Sequence, residues 1–346
     1  MTGQGSHTAA IQKAAVHQRA VHSPGALALV LLVATLLLVA AGAAVGSTGW
    51  EPLWSDGGAA SSAVLWDIRM PRTLGAWLAG ALLGLCGAVA QGLFRNPLAD
   101  PYLLGSATGA SLGVSVLLVL AGASPMAAAG WGARLGLTGA GFAGALMAVL
   151  ITLGLARGVQ HTLRLLLAGV VVGMVCGALS ALVMFRMPEV MLTVQVFMLG
   201  TTGFLGWASV QLLAVVLVIC LAAAVLFSPA LDALSLGETT AASLGIRLAP
   251  VRMALIALMA LGTAAAVAQV GLIAFVGLVA PHIVRTWIKP THRWLLPLSA
   301  LTGGVLLLAA DVLSRWLLAP QELPVGVLTA VLGGGYLVWL MHRRPL

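Results

Sequence analysis

Residues Arg69–Ser111 read RMPRTLGAWLAGALLGLCGAVAQGLFRNPLADPYLLGSATGAS. From Thr73 to Phe94 the stretch carries no charge. A helix needs about 20 mostly apolar residues to cross the hydrocarbon of a bilayer, so this run is long enough to span. Arg95 ends the run, and Pro97 and Pro101 follow it closely. Proline lacks the backbone N–H that helix continuation requires, so these two residues stop the helix and mark a turn. A second apolar run begins at Tyr102. Span, turn and span is the grammar of a polytopic membrane protein.

The rest of the chain follows the same grammar. Of its 346 residues 61% are hydrophobic and 8% charged, with a mean hydropathy of +1.08, whereas a soluble domain carries roughly 25% charged residues. The apolar runs predict an all-α polytopic membrane protein of about ten transmembrane helices, near 26–46, 73–94, 102–121, 135–156, 165–185, 208–227, 251–269, 271–288, 295–318 and 324–341. The break inside 251–288 is placed at Gln269–Gly271, and Val194–Gly206 reads as a possible re-entrant piece. Residues 1–24 form a polar tail expected in the cytoplasm, and 25–346 form the membrane domain. The run Ala26–Gly46 exceeds the roughly 7–15 residues of a signal-peptide core, so it is expected to stay as the first span. Glycines at helical spacing, Gly105, Gly109 and Gly113 in one segment and Gly169, Gly173 and Gly177 in another, predict grooves for close helix packing.

Charge sets orientation and narrows the function. With the N-terminal tail inside, every basic residue except Arg69, Arg72, Arg134, Arg186 and Arg315 falls on the cytoplasmic side, which fits the positive-inside rule with both termini inside. The basic residues form no block, so no nucleic-acid partner is expected. Cys86, Cys176 and Cys220 share no metal-ligand spacing and read as small buried hydrophobes. An ion-coupled carrier usually keeps an ionisable residue at membrane depth, because such a costly group persists where it works. Here the main exception is Asp311, four residues before Arg315 and able to pair with it along the helix. A phosphate-binding Gly-x-x-x-x-Gly-Lys loop is missing around the two lysines, Lys13 and Lys289. Active transport would therefore take its energy from another subunit.

One segment is suited to meet such a subunit. SPALDALSLGETTAASLGIRLAP (Ser228–Pro250) offers Ser228 and Pro229 as a helix start, Gly237 as a break, and a second short helix from Glu238 to a terminal glycine at Gly245. Leu231, Leu234, Leu236 and Leu244 are available for contact. An amphipathic loop lying on the membrane surface explains the same residues equally well.

The stretch Arg69–Ser111 resembles the signature of the FecCD family of permeases, the membrane subunits of type II ABC importers for ferric siderophores, haem and vitamin B12. The resemblance continues through LGETTAASLGI (Leu236–Ile246), GLIAFVGLVAPHIVR (Gly271–Arg285), THRWLLPLSALTGGVLLLAADVLSRWL (Thr291–Leu317) and ELPVGVLTAVLGG (Glu322–Gly334), in order, from about residue 65 to the C-terminus.

That resemblance implies the type II permease fold in a homodimer of ten-helix subunits, in a bacterial inner membrane. It also implies two ATPase subunits below, which carry the ATP and Mg, and a periplasmic binding protein above. No cofactor is expected on the chain itself. Arg69, Arg72 and Arg315 match arginines at the outer face that meet acidic residues of the binding protein. Asn96, Pro97 and Leu98 match a loop closing the cytoplasmic end of the path. Thr162 and Leu163 match a second gate, where the vitamin B12 member is associated with small hydroxyl residues and this chain has Leu163 after Thr162. The coupling helices lie at about 228–248, with Leu231, Leu234, Leu236, Gly237, Glu238 and Leu244 against the ATPase. His282 reads as a hydrogen-bonding residue of the scaffold rather than a metal ligand. The cargo implied is an iron chelate, haem or a ferric siderophore. Vitamin B12 import is the alternative, and an ion-coupled secondary carrier the more distant one.

Overall fold

The computed structural model describes residues 23–46, 49–50, 62–121, 131–156 and 162–343. Most of the polar N-terminal tail, together with Lys13, Arg19, Arg157 and Arg344, lies outside the described residues. Helix α1 (Pro24–Ala44) is started by Ser23, whose side chain accepts a hydrogen bond from the Ala26 N–H, with Pro24 in the first turn. A short antiparallel pair, β1 (Val45–Gly46) and β2 (Gly49–Trp50), follows it. A π-helical turn, Val64–Arg69, then feeds α2 (Met70–Phe94), which Arg95 closes in the left-handed conformation at φ 51°.

A 3-10 turn, Pro101–Leu104, leads into α3 (Ser106–Leu120), and then come α4 (Trp131–Leu155), α5 (Thr162–Arg186), α6 (Pro188–Leu199) and α7 (Trp207–Leu226). Two short helices, α8 (Ser228–Ser235) and α9 (Glu238–Ser243), precede α10 (Leu248–Val270), α11 (Val276–Trp287), α12 (His292–Trp316) and α13 (Val325–Arg343). Each of the ten expected spans holds a helix. Among the described residues, α1, α2, α4, α5, α7, α10 and α12 are long and apolar enough to cross a membrane on their own, and α3 and α13 are shorter apolar helices.

The eighth span differs from its expected form. α10 ends at Val270, as the glycine at 271 requires, but helix resumes only at Val276. Gly271 and Phe275 both hold left-handed backbone, at φ 71° and 67°, and keep the intervening residues out of a helix. Backbone freed in this way must find partners where water is scarce. Here the Thr201 N–H donates to the Val270 carbonyl at 2.9 Å, and the Leu272 N–H to the Phe197 carbonyl at 3.2 Å. The Tyr102 hydroxyl donates to the Ile273 carbonyl at 3.2 Å. The stretch near 194–206 is thus the end of a short helix, α6, folded back onto this break.

Helices α2, α10 and α12 form the inner layer, while α1, α4, α5 and α7 leave most of their surface to the surroundings. α2 is buried around its whole circumference from Ala79 to Phe94. Its contact with α12 is backbone to backbone: a Cβ at Gly80 would meet the Gly303 carbonyl, and one at Gly84 the Ser299 carbonyl. Between apolar helices in lipid, such close packing replaces the hydrophobic drive available in water. The expected groove on α3 is present, with Gly109 and Gly113 seated on Gly144 and Ala140 of α4. On α5 the groove is partial. Gly169 meets the Leu103 carbonyl, whereas Gly177 has nothing within 4 Å.

Gly84→Leu should therefore lower stability by about 3 kcal/mol or more, since the new side chain collides with main chain that cannot move aside. Gly154→Ala on α4, where nothing lies within 4 Å, should stay within about 0.5 kcal/mol of the parent. Thermal unfolding in detergent compares the two, and equal shifts would refute the packing account.

Candidate functional site

Charged side chains gather at the two ends of the inner layer. At one end Asp311 and Arg315 stand one turn apart on α12 and pair with each other, as their spacing predicts. The pair is part of a larger network. Arg72, in the first turn of α2, reaches Asp311 at 3.2 Å and Glu322 at 2.9 Å. The Thr202 hydroxyl donates to Asp311, and Arg315 Nη1 donates to the Gly42 and Val45 carbonyls at 2.9 and 3.1 Å. The Gly42 carbonyl in the last turn of α1 and the Val45 carbonyl just past it thus find a donor. Asp311 and Arg315 are 0% and 1% exposed, and charges so buried are tolerated only when paired and hydrogen-bonded.

In this structure Arg72 and Arg315 do not project outward: both guanidinium groups are buried and occupied within the chain. Arg69 is half-buried. Its Nη1 donates to the Ala43 carbonyl at 3.3 Å, and it lies one turn from the exposed Trp66 at the surface.

The other end holds the remaining expected residues. Asn96 and Leu98 are exposed in the turn after α2, where Asn96 Oδ1 accepts from the Leu98 N–H at 2.9 Å. Asp100 caps the 3-10 turn by accepting from the Tyr102 N–H at 2.8 Å. That turn packs on α5 near Gly169, so the Asn96–Leu98 loop and the start of α5 share one end of the molecule. Thr162 opens α5, its side chain outside the described residues, and Leu163 beside it is exposed.

Helices α8 and α9 close this end. Phe227 rather than Ser228 occupies the cap of α8, and the Ser228 hydroxyl donates to the Val225 carbonyl instead. Leu231 and Leu234 were expected to be available for contact, yet they are 0% and 1% exposed. The 3.6-residue repeat turns both toward the bundle, where Leu231 packs near Gly92 of α2. Leu236 and Leu244, at 68% and 63% exposed, do project. Gly237 adopts φ 115°, a conformation that favours glycine, and Gly245 terminates α9 at φ 78° as expected. Glu238 turns back to Arg252 at 2.6 Å and Arg95 at 3.3 Å. Asp232 accepts from the His292 backbone N–H at 3.0 Å and lies 2.6 Å from its Nδ1.

The sequence did not single out Arg95, Asp232, Arg252 or His292 as partners. Arg95, Arg252 and His292 stand near the edges of apolar runs and Asp232 within the short segment Ser228–Ser235, but nothing in the sequence pairs them. His282 sits edge-on to Tyr336, with ring centroids 5.9 Å apart. Gln91 joins α2 to α11, donating to the Leu278 carbonyl at 3.1 Å and accepting from Arg285. Among the described residues no three His, Cys, Asp or Glu side chains are grouped to hold a metal ion.

Comparison with known proteins gives one consistent picture. The model of the FecCD transport family matches residues 27–343, so the likeness includes α1. The hemin transport system permease protein HmuU of Yersinia pestis is 37% identical over 319 residues, covering 91% of this chain and 94% of that protein. The vitamin B12 import system permease protein BtuC of Salmonella paratyphi A is 41% identical over 322 residues, covering 92% and 94%. The solved structure of a metal-chelate type ABC transporter in an inward-facing conformation superimposes with a TM-score of 0.83 at 26% identity, over 93% of this chain and all of that one.

Two outcomes follow from the site. Asp311→Ala should cost about 3–5 kcal/mol by stranding two buried arginines. Adding Arg315→Met should recover part of that loss, and purely additive losses in thermal unfolding would contradict the network. At the other end, burial raises the Asp100 carboxyl from 3.8 to about 6. The ionised form is then costlier folded than unfolded, so this group lowers stability as pH rises from about 4 through about 6. Asp100→Asn, which keeps an acceptor for the Tyr102 N–H, should flatten that part of the pH–stability profile. An unchanged slope would refute the assignment.

Proposed function

The chain belongs to the FecCD transport family, as a membrane permease subunit, and from that premise we propose that it carries an iron chelate from a periplasmic binding protein into the cytoplasm, driven by ATP hydrolysis on separate subunits. In this reading two copies form the path in a bacterial inner membrane, with both termini in the cytoplasm. Two ATPase subunits bind the ATP and Mg and sit against α8 and α9.

The observation that carries the reading is the build of that helix pair. It is anchored by Leu231, Leu234 and the Asp232–His292 contact, yet it presents Leu236 and Leu244 outward. A firmly held element with an exposed apolar tip is suited to receive force from a partner. The charges of the inner layer support the same conclusion, since Asp311, Arg72 and Arg315 satisfy one another at one end. That leaves them ill-suited to carry protons or sodium ions across. Alternating access then arises as a bias between two packings of rigid helix groups. The Asn96–Leu98 loop and the Thr162–Leu163 turn act as the cytoplasmic gates, and Arg69 contributes to docking of the binding protein.

For the cargo we favour haem or a ferric siderophore. The exposed Leu163 makes its gate turn more apolar than one built from hydroxyl side chains, which suits haem, a flat and largely apolar chelate, better than a polar ferric siderophore. Vitamin B12 is the second reading, favoured by the 41% identity to a vitamin B12 permease.

Leu236→Asp combined with Leu244→Asp should sharply reduce co-purification of the ATPase while leaving the subunit's thermal unfolding close to the parent's. Undiminished co-purification would contradict the docking role of this pair. Uptake of hemin, of a ferric siderophore and of cyanocobalamin, compared in vesicles holding the complete system, decides between the two cargo readings.

A further inference from the structure

Glu238 opens α9, the helix proposed to face the ATPase, but its carboxylate does not point toward a partner. It bridges Arg252 at 2.6 Å and Arg95 at 3.3 Å. The Arg252 side chain is 6% exposed on α10, so one side of the bridge is fixed in the bundle. The other side is Arg95, the left-handed residue between the end of α2 and the exposed turn Asn96–Leu98. That turn is held together internally. The Asn96 N–H donates to the Gln91 carbonyl at 3.2 Å, the Ala99 N–H to the Asn96 carbonyl at 3.0 Å, and the Leu98 N–H to Asn96 Oδ1 at 2.9 Å. A displacement of Arg95 therefore carries the whole turn with it.

The two short helices are anchored to different partners. α8 is tied to α12 through Asp232 and His292 and is packed on α2 through Leu231. α9 is tied through Glu238 to α10 and to the turn after α2. Between them stands Gly237 at φ 115°, a joint that lets one helix shift while the other stays seated.

We propose that Glu238 is a positioning residue that links α9 to the gate turn through Arg95, so that movement imposed on α9 from outside is passed directly to Asn96–Leu98. This rests on the reading of α9 as the element that meets the ATPase and of the Asn96–Leu98 turn as a gate. Ion pairs with partly exposed members, such as Arg95 with Glu238, are too weak to serve mainly as glue. At the strength typical of such pairs, this one shifts a balance between two gate positions by about two- to five-fold. Its effect belongs to gating rather than to folding.

The test uses the assembled complex in lipid nanodiscs with Leu98→Cys as reporter. Cys86, Cys176 and Cys220 are buried and leave little background labelling. The rate of modification by a membrane-impermeant maleimide is measured without nucleotide and with ATP plus vanadate. The reporter alone should show a clear nucleotide-dependent change in rate. Adding Arg95→Gln should shrink that change by about two- to five-fold, with the melting temperature nearly unmoved. Glu238→Gln should shrink it at least as much, with some loss of stability because it also removes the charge partner of the buried Arg252. Arg95→Lys, which keeps the charge, should retain most of the response. A full response in both glutamine variants, or an equal loss in the lysine and glutamine variants at Arg95, would overturn the proposed link while leaving the gate reading standing. A reporter indifferent to nucleotide before any further substitution would overturn the gate reading and the link with it.

Discussion

Helices α2 and α12 approach until the main chain of one touches the main chain of the other, and the rest of the structure is arranged round that contact. Gly80, Gly84 and Gly303 make it possible, because any side chain at these positions would occupy space already filled by a carbonyl or a Cα. In a bilayer no surrounding water drives apolar helices together, so contact at this range supplies the cohesion. It also fixes the placement of charge. Arg72 stands at the start of α2 and Arg95 just past its end, while His292 and Arg315 stand at the two ends of α12. A helix of 25 residues is ~38 Å long at about 1.5 Å per residue, so one closely packed pair carries both charged ends of the molecule.

The two ends use charge differently. At the Arg315 end Asp311, Arg315 and Arg72 are buried, with Glu322 at the exposed rim, and the network closes α1, α2, α12 and the loop around Glu322 into one piece. Removing a member there exposes the full cost of burying the others. At the Glu238 end every pair has a partly exposed carboxylate, the Arg95–Glu238 pair is exposed on both sides and weak, and the pairs join elements with separate anchors. Rigid at one end and adjustable at the other is the division expected of a subunit that is worked from a single side. The described middle of the inner layer carries mostly small and aliphatic side chains from α2, α10 and α12, packed against one another.

Much of this was legible in the sequence, for physical reasons that can be named. A membrane helix is specified locally, by about 20 apolar residues in a row, so the order and approximate limits of the spans could be read directly. The breaks at Gly237, Gly245 and Gly271 were legible because left-handed backbone favours glycine. Phe275 also takes a positive φ without being glycine, and for that reason the delayed start of α11 was hidden. The direction of a side chain depends on which helix lies opposite, which a single sequence does not contain. Arg72, Arg315, Leu231 and Leu234 all turned inward for that reason. The Asp311–Arg315 pair was visible because both partners share one helix. The contacts of Arg72 with Glu322 and of Arg95 with Glu238 join residues far apart in the chain and were not visible.

The account stands on one energetic statement, that the subunit does no uphill work unless an ATPase acts on it. The direct measurement is accumulation of hemin, of a ferric siderophore and of cyanocobalamin by liposomes containing the purified subunit alone, under an imposed proton or sodium gradient, beside liposomes holding the full complex with ATP. The account predicts no concentrative uptake in the first and ATP-dependent accumulation of one of the three in the second. Strong accumulation by the lone subunit under either ion gradient would contradict it.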